Sequence, residues 1–245
     1  MKTGVILYSH RADSLSHDIT EWYAEELRRR GHTDVNTAYR KGDPGIDETM
    51  RRMNVRGMNN TFVVIPMVIS EGSLSTWILP KEMDMPDNSC SFTYLTGMHT
   101  AIRFSTALGE SENISKLIIK RLKEAGAEKD DGILLVSKGS VLKMNLEFMK
   151  RNSVYVQDSG FPNTAFAVLD HEGPNVASAV GDLMEKGAER LVVLPVFLTE
   201  CRSVTETIPS LVRDSGPLVT VVFAKCLGKD SLILDAMEER IPEGW

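Results

Sequence analysis

Two long apolar runs, Thr61 to Ile69 (TFVVIPMVI) and Leu191 to Leu198 (LVVLPVFL), each hold one proline, and Pro66 and Pro195 stand 129 residues apart. A continuous run of this kind is the pattern of a strand buried on both faces, as in a parallel sheet covered by helices. Downstream, Pro80 and Pro209 again differ by 129, and IPMVISEGSLSTWILP aligns with LPVFLTECRSVTETIP without a gap. Ser9 and Ser137 differ by 128, and Gly97 and Gly228 by 131. Four anchors holding one offset within three residues predict an internal duplication, with a period too long for a solenoid. Pro66 should then superpose on Pro195 and Ser9 on Ser137.

Apolar and amphipathic stretches alternate around these anchors. In the first half, strands are expected at Gly4 to Tyr8, Val35 to Tyr39, Thr61 to Ile69 and Phe92 to Leu95. Helices are expected at Ser16 to Arg30, Ile46 to Met58, Leu74 to Met83 and Ser111 to Ala125. The first helix shows Ile19, Trp22, Tyr23 and Leu27 at helical spacing and closes on Gly31. The second half repeats the order from Ile133, ending with a strand at Leu218 to Phe223 and a helix at Ser231 to Glu239. The polar stretch Glu128 to Gly132 reads as the linker, which gives domains at 1–128 and 129–245. The fold expected is α/β, two tandem doubly wound parallel-sheet domains with an interdomain cleft. Ligands of such sheets gather at the carboxyl ends of the strands.

Composition narrows the function. The 28 Lys and Arg against 34 Asp and Glu give a net charge of −6, opposite in sign to a non-specific nucleic-acid binder. The three cysteines, Cys90, Cys201 and Cys226, are scattered without a CxxC pair, which disfavours a structural zinc site or an iron–sulfur cluster and fits reduced thiols. No run reaches the length of a membrane span or a signal-peptide core, so a soluble, cytoplasmic protein is expected. GxGxxG, GxxxxGK[ST] and GxSxG are all absent, which removes the dinucleotide, P-loop and serine-hydrolase signatures. The twelve methionines, such as Met50 and Met144, fit core-filling roles.

Chemistry is then sought just beyond the strands. Ser9-His10-Arg11 follows the first strand and Ser137-Lys138-Gly139 its repeat mate. Glu71 and Glu200 follow the two long apolar strands, with Arg202 close by, and His99 follows the strand at Phe92 to Leu95. An imidazole suits a metal ligand or a proton acceptor near neutral pH. His10 and His99 are therefore the candidates, while His17, His32 and His171 read as surface or structural histidines. Glu71 and Glu200 favour the N-terminus of the following helix and, facing one cleft, would attract a divalent cation and take protons. Arg11, Lys138 and Arg202 are placed to meet an anionic ligand, whereas Arg52 and Arg103 read as solvated helix faces.

These residues resemble the class II chelatases, and within them the CbiX-type sirohydrochlorin cobaltochelatases. The family's strand ending in His-Gly-Ser is matched by Tyr8-Ser9-His10-Arg11-Ala12-Asp13-Ser14. Its segment Pro-Tyr-Phe-Leu-x-x-Gly-x-His-x-x-x-Asp-Ile-Pro is matched twice, by Pro66 to Pro80 and by Pro195 to Pro209. Leu95 to His99 is similar to the later Leu-Gly-x-His element, and Phe166 to Leu198 to the family's core. The chain is identified as a two-repeat, long-form member with a diverged motif. The family's motif histidine corresponds to Leu74 and Ser203, its aspartate to Ile78 and Thr207, and its leading histidine in the second half to Lys138.

The resemblance implies a lyase that inserts a divalent metal, cobalt first and iron or nickel next, into sirohydrochlorin in cobalamin or sirohaem synthesis. The metal would be substrate, with no permanently bound cofactor. It further implies His10 as ligand and base, Glu71 and Glu200 as auxiliary acids, His99 as a second ligand, and Arg11, Lys138 and Arg202 as carboxylate receivers. Neither nucleic acid nor membrane is expected as a partner, and a homodimer is compatible with the sequence. The alternatives are a diverged protein that binds a tetrapyrrole or metal without insertion, and a two-lobed receptor for a sugar or amino acid.

Overall fold

The computed structural model describes residues 2–11, 14–55, 59–83, 91–95, 98–216 and 218–242. Its first sheet contains β1 (Lys2–Arg11), β2 (Val35–Lys41), β3 (Asn59–Pro66), β4 (Ser91–Leu95) and β5 (Met98–Phe104), in the order β2-β1-β3-β5-β4. The second contains β6 (Gly132–Ser137), β7 (Thr164–Val168), β8 (Arg190–Pro195) and β9 (Thr220–Phe223), in the order β7-β6-β8-β9. All neighbours are parallel except β4 and β5. The helices are α1 (Ser14–Arg29), α2 (Ile46–Val55), α3 (Leu79–Glu82), α4 (Glu112–Glu124), α5 (Lys143–Asp158), α6 (Val176–Glu185), α7 (Ile208–Asp214) and α8 (Ser231–Glu238). Among the described residues no helix is long and apolar enough to cross a membrane.

The local reasons are ordinary ones. Ile19, Tyr23, Ala24 and Leu27 form the buried face of α1, which ends where Gly31 takes a φ of +104°. Asn175 caps α6, its side-chain oxygen accepting from the Ser178 N–H at 2.8 Å, and Val176, Ala179, Val180 and Leu183 line the buried face. The central strands are apolar throughout: Phe62 to Ile65 and Leu191 to Leu194 are fully buried. Each such side chain contributes on the order of 1.5–3 kcal/mol relative to exposure.

The duplication is written in the hydrogen bonds. The Met67 N–H donates to the Tyr8 carbonyl at 2.8 Å, and Val196 to Val136 at 2.7 Å. Tyr8 pairs with Pro66 and Val136 with Pro195, so Pro66 and Pro195 occupy the same register, as do Ser9 and Ser137. Both motif segments open as a π-helix, Leu74–Ile78 and Ser203–Thr207, before their prolines lead into α3 and α7. Gly4 and Gly132 also match: a Cβ would lie 2.7 Å from Phe62 Cδ1 in one and 2.6 Å from Leu191 Cδ2 in the other. Each sheet needs that close approach of the first strand to the residue beside the third.

One anchor is corrected. Gly97 lies outside the described residues, and the position equivalent to Gly228 is Gly109. The Gly109 N–H donates to Ile69 O at 2.7 Å, as Gly228 does to Leu198 O at 3.1 Å. Likewise Phe104 pairs with Val64 as Phe223 pairs with Val193. The first repeat is ten residues longer between its second proline and this strand, and β4 falls in that extra length. The strand expected at Phe92 to Leu95 is thus an added antiparallel edge, and the true counterpart of β9 is β5.

The described chain packs as two compact units, Met1–Ser111 with Ser231–Trp245, and Glu112–Asp230. This division differs from the repeat boundary expected at 128. The last helix of the first repeat, α4, belongs to the second unit, and the last helix of the second repeat, α8, to the first. A buried arginine ties each helix in place. Arg121 on α4 donates to the carbonyls of Cys226 (3.2 Å) and Leu227 (2.5 Å from Nη2). Arg240, just after α8, donates to Thr106 at 3.0 Å and also to the Ala107 carbonyl. Burial lowers the Arg240 pKa, and these carbonyls together with the nearby Glu239 charge answer for the cost of desolvation.

Candidate functional site

His10 is exposed at the carboxyl end of β1, where the parallel-sheet argument places a ligand. Its Nε2 is 3.4 Å from Arg40 Nη1 at the end of β2. Arginine only donates, so this contact uses the Nε2 lone pair of the imidazole. Arg40 Nε in turn donates to Glu82 Oε1 on α3 at 2.8 Å, and the buried Tyr8 hydroxyl donates to Glu82 Oε2 at 2.5 Å. Burial, reinforced by that hydrogen bond, pushes the Tyr8 pKa far up, so the phenol stays a donor and is no base. A relay from Tyr8 on β1 through Glu82 on α3 and Arg40 on β2 thereby reaches the imidazole. Arg40 and Glu82 were not singled out from the sequence; only the parallel neighbour relation of β1 and β2 reveals them.

The other expected residues do not all join it. By register, His99 sits level with Asn59, the first residue of β3, whereas His10 lies two residues beyond the level of Pro66, its last. They lie at opposite ends of the sheet, on the order of 30 Å apart along the strands at about 3.3 Å per residue. The structure does not bring them together. The cause is the added hairpin, which makes residue 99 the beginning of β5 and not the loop after a parallel strand.

Glu71 is buried, and both its oxygens are engaged. Oε1 accepts the Ala107 N–H at 2.6 Å and Oε2 accepts the Ser75 hydroxyl. It pins the loop after β5 to the loop after β3. Glu200, its counterpart, is exposed, and its charge helps raise the pKa of the buried Cys226. Lys138 is exposed beyond β6 in the place of His10. Arg202 is 86% exposed and donates to Glu206 at 2.9 Å, an (i, i+4) surface pair. Arg11 lies on β1 opposite Lys41, and its side chain is outside the described residues. Leu74, in the place of the family's histidine, packs against the core cluster around Leu79 and Met83. Among the described residues no three His, Cys, Asp or Glu side chains converge as a metal site.

Comparison with known proteins follows the same lines. The CbiX family model matches residues 6–125 and again 132–244. The sirohydrochlorin ferrochelatase of the Arabidopsis thaliana chloroplast is 29% identical over 143 residues, covering 57% of this chain and 60% of the plant protein. The sirohydrochlorin cobaltochelatase of Sulfolobus acidocaldarius is 25% identical over 109 residues, 44% of this chain and 88% of that one. Among solved structures, SirB from Bacillus subtilis with Fe3+ superposes with a TM-score of 0.79 at 14% identity, covering 98% of this chain and 94% of SirB. At that identity the likeness speaks for the fold. With one family model matched in each repeat and the same strand-end hydrogen bonds in both sheets, the chain belongs to the CbiX family as a two-repeat member of the class II chelatases.

Proposed function

We propose that the protein is a sirohydrochlorin chelatase that inserts a divalent metal ion, cobalt or iron, with the metal as substrate. The observation that carries this reading is His10, which keeps the family's leading histidine at the carboxyl end of β1 with its Nε2 lone pair turned to a fixed partner. Relatives named for cobalt and for iron insertion both match, so the reading takes in either ion.

Insertion needs the ion stripped of water and the pyrrole protons accepted. His10 Nε2 would do both in turn, first as ligand and then as base. Arg40 leaves that nitrogen at the cost of one long contact, and its own charge stays balanced by Glu82 at 2.8 Å. Lys138, Arg11 and Arg202 would receive the carboxylates of the macrocycle through charge-assisted hydrogen bonds. Glu71, engaged on both oxygens, acts as a positioning residue, and the role of auxiliary acid falls to the exposed Glu200.

The test is to mix the protein with sirohydrochlorin and Co2+, Fe2+ or Ni2+ and follow the absorption spectrum. Metal-dependent conversion above the uncatalysed rate, lost in His10→Ala, is the expected result. No acceleration with any of the three ions overturns the reading. One observation favours a second reading, a protein that holds a tetrapyrrole without metallating it: Leu74 has turned the motif histidine's place into core packing. Binding of sirohydrochlorin without conversion would select that reading.

A further inference from the structure

At the carboxyl ends of β6 and β7 the second unit opens a cavity of about 670 Å³. Lys143, Lys150 and His171 line it together with Val141, Leu142 and Leu146, and Glu172 is its one acidic residue. Among the described residues no carboxylate pairs with Lys143 or Lys150. Val141 is 65% exposed there, an unusual position for a valine in a well-packed loop.

The walls are built for this shape. Gly139 has a φ of +87°, and a Cβ on it would fall 2.1 Å from the Asp170 carbonyl oxygen, so the loops after β6 and β7 are in close contact. The Asp170 N–H donates to Lys138 O at 2.9 Å across the same contact. His171 follows in the left-handed region at φ +69°, the one non-glycine among the described residues with a positive φ. Such a conformation costs on the order of 1 kcal/mol or more and persists where its surroundings impose it. In the first repeat the Tyr39 N–H donates forward to Pro44 O, whereas here the Val168 N–H donates to Pro174 O, a turn longer by one residue. That extra residue lies in the stretch that brings His171 to the cavity.

The spacing of the cations identifies the ligand's chemistry. Lys143 and Lys150 are seven residues apart on α5, two turns of one face, about 10.5 Å along the axis. Leu146 and Glu147 both stand between them on that face, and of the two it is Leu146 that lines the cavity. A single phosphate or carboxylate would satisfy one lysine and leave the apolar wall wet. The arrangement fits anionic groups about 10 Å apart on the rim of an apolar body. We propose that this cavity grips the carboxylate arms of a polycarboxylate macrocycle, independently of any metal. This rests on the chelatase reading and assigns the substrate's arms to the second unit's Lys143, Lys150 and His171.

The test uses metal-free uroporphyrin, an octacarboxylate, titrated against the full chain by fluorescence. Lys143→Glu/Lys150→Glu should raise the Kd at least tenfold, about 1.4 kcal/mol, at low salt. The milder Lys143→Ala/Lys150→Ala pair should shift it the same way by a smaller factor, and circular dichroism should report an unchanged fold for both. Salt should weaken the unmodified chain more than the double variants. Binding by the Glu pair within twofold of the unmodified chain, with metal insertion intact, overturns the cavity and leaves the chelatase reading standing. An unmodified chain that binds neither uroporphyrin nor sirohydrochlorin overturns both.

Discussion

In the first unit, β1 ends on an imidazole held by Arg40 and, through it, by Glu82 and Tyr8; in the second, the matching strand ends on the ammonium of Lys138, exposed. Glu71 clasps Ala107 N–H and Ser75 in the first unit, while Glu200 is exposed in the second. Ala107 has Cys226 as its counterpart. Apart from the added β4 edge, the scaffold is shared, down to the π-helices and the glycines in β1 and β6, and the strand-end loops carry different chemistry. On the proposed chelatase reading, a duplicated domain needs one metal-handling imidazole, and the second copy is free to carry a cation for an acidic substrate.

The largest test of this division of labour is paired. His10→Ala should lower metal insertion by at least roughly 100-fold, the lower range for loss of a general base. Lys138→Ala should leave kcat within a few-fold and raise KM for the tetrapyrrole. Steady-state kinetics with sirohydrochlorin and Co2+ would check both. Equal losses of kcat in the two variants would break the comparison.

Stability gives the second test. In Glu71→Ala the buried Ala107 N–H loses its side-chain acceptor. A buried donor left without its acceptor costs about 1–3 kcal/mol. Glu200→Ala, on an exposed side chain, should stay within about 0.5 kcal/mol. Urea midpoints separate the two, and similar midpoints would show that the carboxylates play the same part in both halves.

How far the sequence alone reaches follows from these residues. Pro66, Pro195, Pro80 and Pro209 were legible because prolines within apolar runs are rare and the segments between them have no gap. The strand-end position of His10 was legible because it comes one residue, Ser9, after an apolar run. His99 misled because ten extra residues in the first repeat copy the look of a strand followed by Gly and His, and only the ladder shows that β5 continues past them. The allocation of α4 and α8 was hidden for another reason. An amphipathic pattern tells which face of a helix is buried, with Ile114, Leu117 and Ile118 in α4 and Ile233, Leu234 and Met237 in α8, but not against which sheet. Arg40 and Glu82 were out of reach because charged residues on a β2 end and a short helix look like any solvated surface until the strand order puts them beside His10.

The smallest effect concerns the pair Ala107 and Cys226. Burial, helped by the Glu200 charge, pushes the Cys226 thiol up to about 11 from its ordinary value of 9.0. A folded-state pKa raised above the unfolded one gives stability that is whole below pH 9 and is lost as pH rises from 9 to 11. In the first unit the corresponding loss starts later. Tyr39, pushed up to about 12 chiefly by burial, and Tyr8, raised further, begin to titrate in the unfolded chain only near pH 10. Cys226→Ala, which gives the second half the first half's residue, should therefore flatten the stability profile between pH 9 and 10 and leave the fall above pH 10. The gain at pH 10 relative to pH 8 should be on the order of 1 kcal/mol, read from urea unfolding at the two pH values. In the unmodified chain an alkylating reagent at pH 8.5 should label the half-buried Cys201 well before the buried Cys226. If Cys226 reacts as fast as Cys201, its thiol is not held in the closed loop that Arg121 ties to α4, and the two loops are not equivalent.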